Sequence, residues 1–120
     1  MADGTPTRVL IVDDNRVAAE TLATLIRLLG HEVTTAYDGV TGVQTALSFR
    51  PELILLDLVM PEVDGFAVAR ALRSLMLPAR IVALTAFTQP AFMEAADDVG
   101  FDSIVAKPAT AEQLTKLLMH

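Results

Sequence analysis

Apolar residues gather into four short runs, Val9 to Val12, Leu53 to Leu56, Ile81 to Leu84 and Ser103 to Ala106, with a weaker alternating run over Val33 to Tyr37. Runs of this length bounded by polar residues predict strands. Between them the spacing turns helical. Asn15 or Asp14 is placed to cap a first helix whose expected buried stripe is Val17, Ala18, Thr21, Leu22, Leu25, Ile26 and Leu29, with Gly30 ending it. A second helix is predicted from about Val40 to Phe49, after the turn pair Asp38-Gly39 and before Pro51, whose ring disfavours helical geometry in Arg50. A third follows Pro61 and Asp64-Gly65, from about Gly65 to Met76. Pro90 suits the opening of a fourth, Ala91 to Val99, closed by Gly100, and Thr110 with Gln113 forms the capping-box pattern of a last helix reaching Leu118 or Met119.

Strands alternating with helices at this rhythm indicate parallel βαβ units, and strands without polar alternation indicate a sheet covered on both faces. The expectation is an α/β doubly wound sheet of roughly five strands and five helices, with no internal repeat or linker. The chain of 120 residues has the size of one domain, and 52% of its residues are hydrophobic, enough for a real core. Its formal net charge of −6 disfavours a surface that holds nucleic acid or acidic lipid by counterion release. The lack of cysteine excludes disulfides and thiolate metal sites and fits a reducing compartment, so the cytoplasm is expected. Met1 to Thr7 does not read as a secretory signal, residues 1–6 are expected to be a frayed lead-in, and no apolar run is long enough to enter a bilayer.

The informative residues stand where strands end. VLIV is followed by Asp13-Asp14, LILL by Asp57, IVAL by Thr85 and SIVA by Lys107. In a doubly wound sheet the carboxyl ends of the parallel strands open on one edge, so these sequence-distant residues are expected to converge on one crevice. Three crowded carboxylates repel unless a cation neutralises them, and a hard, oxygen-liganded ion such as Mg²⁺, which completes its shell with phosphate oxygens, suits them. Lys107 and Thr85 add a positive charge and a hydroxyl donor. Phosphoryl transfer needs mainly positioning and neutralisation of this kind, and a carboxylate can itself be the nucleophile. Asp57, ending the most apolar run, is best placed for that part.

The segments VLIVDDN, LILLDLVMPEVDGF, IVALTA and VAKP, in this order and spacing, resemble the receiver domain of two-component response regulators, the family typified by the bacterial chemotaxis regulator. The resemblance covers nearly the whole chain, 1–120, as one receiver domain. It implies the flavodoxin-like fold with strand order 2-1-3-4-5. It further implies that Asp14 ligates Mg²⁺ directly, Asp13 directly or through water, and Asp57 and the Val59 carbonyl complete the protein ligands. Asp57 then accepts phosphate from a phosphohistidine on a kinase or phosphotransfer protein. Lys107 and Thr85 bind the phosphoryl oxygens after transfer, and Lys107-Pro108 is a cis peptide. The downstream partner is a protein effector, on another chain or on a longer form of this one, with no direct nucleic-acid contact or membrane insertion.

The family pattern is not met at Ile104, three positions before Lys107, where receivers usually carry an aromatic ring that fills space vacated by the threonine. With isoleucine, the signal is expected to pass through smaller packing shifts or another surface. Val59 and Phe87 occupy positions that tune phosphoryl hydrolysis, and neither can hydrogen-bond an attacking water through its side chain, so a slowly hydrolysing aspartyl phosphate is expected.

Each residue also has a plainer role. Asp13-Asp14 alone fits a helix cap, Asp57 a turn residue, Thr85 an ordinary strand residue and Lys107 a solvated charge. Their placement at four strand ends favours the functional role. His31 fits a surface loop residue, His120 a terminal residue, and Met60, Met76 and Met93 packing residues. Phe87, Phe92 and Phe101 fit core packing better than a docking patch. Two rival functions remain: a receiver that docks partners without being phosphorylated, and a phosphatase of the haloacid dehalogenase type. The latter's DxDx[TV] nucleophile pattern is absent, so the chain is not expected to turn over a separate substrate.

Overall fold

Alternation along each strand divides the interior in two. Val9 and Ile11 of the first strand face one way and Leu10 and Val12 the other, yet all four are wholly buried. Both faces of the sheet are therefore covered, which is why these runs show no polar alternation. The computed structural model describes residues 5–60, 64–86, 94 and 98–119. Its strands are β1 (Arg8–Val12), β2 (Glu32–Ala36), β3 (Leu53–Asp57), β4 (Arg80–Thr85) and β5 (Ser103–Ala106). They pair in parallel in the order β2-β1-β3-β4-β5. The described helices are α1 (Arg16–Leu28), α2 (Gly39–Phe49), α3 (Gly65–Ser74) and α4 (Ala111–Leu118). Of the predicted fourth helix, only Glu94, Asp98 and Val99 are described, and all three are helical. Pro61, Phe87, Pro90, Ala91, Phe92, Met93 and His120 lie outside the described residues.

One core joins Val9, Ile11, Leu53 and Leu55 to Ile26 of α1 and Leu114 of α4. The other joins Leu10, Val12, Ile54 and Leu56 to Ala46 of α2 and Leu72 of α3. This doubly wound packing puts β3 in the middle of the sheet and the reversal of strand order between β1 and β3. The ends of α2 and α4 follow the predicted chemistry. Asp38 accepts from the Thr41 N–H, and Thr110 and Gln113 form the reciprocal capping box.

Several local expectations are corrected. In α1 the residues pressed against the sheet are Ala19, Ala23 and Ile26, whereas Val17, Thr21 and Leu29 are exposed and Ala18, Leu22 and Leu25 lie on the margin. Small alanines let the helix axis approach the strands, so the buried stripe is rotated from the one that bulk alone suggests. The third helix ends at Ser74 and not Met76, which takes a left-handed φ of 55° and is exposed rather than packed. His31 is more than a loop residue, because its Nδ1 accepts the Thr7 N–H at 2.8 Å and helps fix the entry to β1.

Gly65 is a position where only glycine fits. An added Cβ would stand 2.6 Å from Leu58 Cα and 2.7 Å from the Asp57 carbonyl oxygen, both backbone atoms that cannot swing away. The start of α3 thus lies directly against the end of β3. Gly65→Ala is expected to lose about 1–3 kcal/mol of stability, as overpacking does, in denaturant unfolding. A wild-type midpoint would show that this contact is not tight.

Candidate functional site

Local chemistry at the start of α1 directs the first two acids. Asn15 is the cap, its side chain accepting the Ala18 N–H, while its own N–H donates to Asp13 Oδ1 at 2.9 Å. Asp14 is therefore not consumed as a cap. The Asp13 N–H donates to the Ala36 carbonyl, which extends the β1–β2 ladder and holds Asp13 almost wholly buried, whereas Asp14 is exposed. Asp57 ends β3 at 5% exposure, with the Val59 N–H donating to its Oδ1 at 3.2 Å. Carboxylate oxygens of Asp13, Asp14 and Asp57 lie within 4.8 Å of one another.

Lys107 reaches into this group from the end of β5. Its Nζ stands 3.0 Å from Asp13 Oδ2 and 3.3 Å from Asp57 Oδ2, so one ammonium bridges the two buried carboxylates. The Lys107 N–H donates to the Thr85 carbonyl at 2.9 Å, and the peptide to Pro108 is cis. Thr85 is fully buried at the end of β4, and the register pairs Asp57 with Leu84 and Thr85 with Ala106. Asp57, Thr85 and Lys107 therefore occupy neighbouring strand ends. Val59 is half exposed beside the site, and Ile104 lies deeper, paired with Ala83.

Burial dominates the electrostatics. It pushes the Asp57 carboxyl from its ordinary 3.8 up to about 6, the Asp13 charge adding to the rise while the Val59 N–H and Lys107 oppose it. For Lys107, burial alone would lower the ammonium pKa. The hydrogen bond to Asp13 and the charges of Asp57 and Asp13 outweigh it, and the net shift is upward. The site is thus short of positive charge even with the lysine in place. Its all-oxygen donor set suits a hard divalent cation.

Sequence reasoning missed a buttress beside the acids. The Tyr37 hydroxyl, just past β2, donates to Glu20 Oε2, Thr35 Oγ1 donates to the same oxygen at 3.0 Å, and the Arg16 guanidinium lies 4.1 Å from the Tyr37 ring centroid. These contacts tie the first turns of α1 to the end of β2. The bonds from Tyr37 and then Thr35 hold the Glu20 carboxyl below its ordinary pKa. A tyrosine closing an otherwise weak strand was the available signal.

A parallel sheet of this order with acids and a lysine at its carboxyl edge defines a receiver-type signalling domain. Comparison with known proteins agrees, and the chain belongs to the response regulator receiver domain family, whose model matches residues 9–119. It is 37% identical over 109 residues to response regulator MprA of Mycobacterium sp. (strain KMS), covering 91% of this chain and 47% of that protein. The chain spans about half the length of the curated relatives it matches. Among solved structures, chemotaxis protein CheY4 of Vibrio cholerae superposes with a TM-score of 0.88 at 30% identity, covering 95% of this chain and 97% of that one. A Burkholderia pseudomallei response regulator with a phosphorylated aspartic acid, calcium ion and citrate has a TM-score of 0.86 at 31% identity, covering 93% of this chain and 66% of that one. No helix among the described residues is long and apolar enough to cross a membrane.

The raised pKa of Asp57 has a stability consequence with a definite sign. Below 3.8 the carboxyl is protonated in both folded and unfolded chains and contributes nothing. Between 3.8 and about 6 the unfolded chain ionises first, so stability falls as pH rises, and the cost is complete above the folded value. Asp57→Asn is therefore expected to be more stable than wild type at neutral pH, and the difference should shrink as the pH falls through the folded value toward 3.8. Denaturant unfolding across pH in the presence of a chelator measures it; a variant weaker than wild type at neutral pH counts against the assignment.

Proposed function

We propose that this receiver domain is a phosphorylation switch with Asp57 as the phosphoacceptor. One observation carries the proposal: a buried carboxylate at the end of the central strand is clustered with two others within 4.8 Å and ion-paired to Lys107. The donor is a phosphohistidine on a histidine kinase or a phosphotransfer protein. An Asp57 carboxylate oxygen attacks the phosphorus, the new O–P bond forms as the N–P bond breaks, and the imidazole leaves with the bonding pair and takes up a proton. The product is a mixed anhydride. Asp13, Asp14, Asp57 and the Val59 carbonyl are the proposed ligands of Mg²⁺, which when bound supplies Lewis-acid neutralisation of the phosphoryl oxygens. That the Burkholderia relative carries a phosphorylated aspartic acid and a calcium ion supports the same chemistry.

Lys107 starts from a bridge between two carboxylates, so phosphate on one of them offers it a more highly charged partner without a long movement. Thr85 supplies a hydroxyl to a second phosphoryl oxygen from the neighbouring strand end. A groove of about 520 Å³ opens from Asp13 and Lys107, which are grouped with the acceptor, along Leu22, Leu25 and Leu28 of α1, an apolar surface suited to the helix that presents the donor histidine. The whole of 1–120 acts as one receiver unit in the cytoplasm. Its output is a protein effector, separate or attached in a longer chain, and no separate substrate is turned over.

Incubation with acetyl phosphate and Mg²⁺ is expected to add one phosphoryl group to the intact mass of wild type and none to Asp57→Asn, and chelation is expected to stop the gain. Wild type that gains no mass under these conditions favours a phosphorylation-independent docking receiver. Sustained release of phosphate from a small ester favours the phosphatase rival. The phosphorylated form is also expected to be long-lived, since the Val59 side chain offers no hydrogen bond to an incoming water and Phe87, outside the described residues, offers none either. Decay of the added mass measures the lifetime, and loss within seconds in Mg²⁺ buffer refutes it.

A further inference from the structure

A layer of packing under the acceptor takes no part in the chemistry described above. Leu58, which follows Asp57, and Ala83, two residues before Thr85 on the same face of β4, are buried together in a small third cluster covered by Phe66, Phe101 and Ile104. The Phe66 and Phe101 rings meet edge to face, with centroids 6.4 Å apart and planes at 68°, and both residues are partly exposed. Phe66, Phe101 and Ile104 are all partly exposed, so three of the five members of this cluster reach both the acceptor's neighbours and solvent, and two of those three are rings in mutual contact.

The backbone leaves little slack on one side of this layer. The Gly65 N–H donates to the Leu58 carbonyl at 3.3 Å, and the absence of room for a Cβ at Gly65 shows the two backbone segments in direct contact. Phe66 is the next residue, with its N–H held by Asp64 Oδ1 at 2.9 Å. A displacement of Asp57 and Leu58 is therefore passed into the first turn of α3. On the other side, Ala83 lies two residues before the buried Thr85 on β4, so any movement of Thr85 toward a phosphoryl oxygen would loosen packing above Ala83. Ile104, the strand partner of Ala83, is β-branched and held in the sheet, so it has little rotamer freedom with which to fill that space. Phe101 precedes β5, lies outside the ladder, and packs on both this cluster and the core under α2 and α3.

We propose that the Phe66–Phe101 pair couples the phosphoacceptor to the protein surface, transmitting its state through the start of α3 and the entry to β5. This inference rests on Asp57 being the acceptor. The rings change their mutual packing when Asp57 is loaded.

The test is fluorine NMR of the full chain carrying fluorophenylalanine, with the Phe66 and Phe101 resonances assigned by conservative Phe→Tyr exchanges. Mg²⁺ with beryllium fluoride, a phosphoryl mimic, is expected to shift both resonances in wild type and neither in Asp57→Asn. Phe101→Leu is expected to gain phosphate from acetyl phosphate at the wild-type rate yet lose the shift at Phe66 and most of the amide-shift changes over α3 and β5. A chain that takes the phosphoryl group while both ring resonances stay still overturns the coupling and leaves the acceptor intact. So does a Phe101→Leu variant with an unaltered pattern of amide shifts. A chain that takes no phosphoryl group overturns both. The wild-type fluorine result decides the matter without the variant should Phe101→Leu fold poorly.

Discussion

Two carboxylates are buried side by side at the rim of the sheet, and one ammonium bridges them. The fold has to hold Asp13 and Asp57 together against their mutual repulsion. It does so with β1 and β3, adjacent strands whose Val9–Val12 and Leu53–Leu56 segments are completely buried. Burial on both faces anchors these strands and keeps their acids at the rim almost out of solvent. The cost appears in Asp57, whose carboxyl is pushed up to about 6 even though Lys107 lies alongside. A site in which one lysine only partly balances the acids is receptive to further positive charge, and then to an anion bound through it. The same electrostatic deficit that penalises the folded protein is what the proposed divalent ion would relieve.

Much of this was legible in the sequence because it depends on which residues end strands. A strand covered on both faces has to be apolar along its whole length, so the first polar residue after LILL marks its end, and Asp57 could be placed at the rim before any side chain was seen. The same reasoning placed Asp13, Thr85 and Lys107. The stripe of α1 was placed only in part: Ile26 is buried and Leu22 and Leu25 pack on the core as expected, but hydrophobic bulk is a poor guide where a helix must approach a sheet closely. Ala19 and Ala23 carry that contact, and Val17 faces outward. The choice between Asn15 and Asp14 as cap also lay beyond the pattern. Either can accept an N–H, and the geometry of Asp13, which itself accepts from the Asn15 N–H, decides it.

What stayed hidden were long-range polar contacts between unremarkable residues. Arg73 pairs with Asp102 at 2.8 Å, and the same Asp102 oxygen accepts the Ile81 N–H at 2.8 Å, so one carboxylate joins α3 to the start of β4 and the approach to β5. Burial acts to raise the Asp102 pKa, but the Ile81 and Arg73 hydrogen bonds outweigh it and hold it low. Tyr37, Glu20, Thr35 and Arg16 make a comparable tie across α1 and β2. No local periodicity encodes such pairs, since their members lie up to 29 residues apart and each is ordinary in its own segment.

These ties bear on how a signal can leave the site. The Arg73–Asp102 pair fixes the two segments that flank Phe66 and Phe101, so the rings sit between anchored pieces of backbone while remaining partly exposed themselves. Movement confined to side chains between fixed supports costs less than shifting a helix, and it is sensitive to small changes in the volume beneath it. Ile104 removes ring motion from the middle of the edge strand, where Ala83 and Lys107 bracket it. Under the proposed coupling, the aromatic pair at the mouth of that strand takes over the moving part, one step further from Asp57. Acceptor chemistry and signal output then rest, under that coupling, on different residues, so the strand ends can stay unchanged while the partly exposed rings vary.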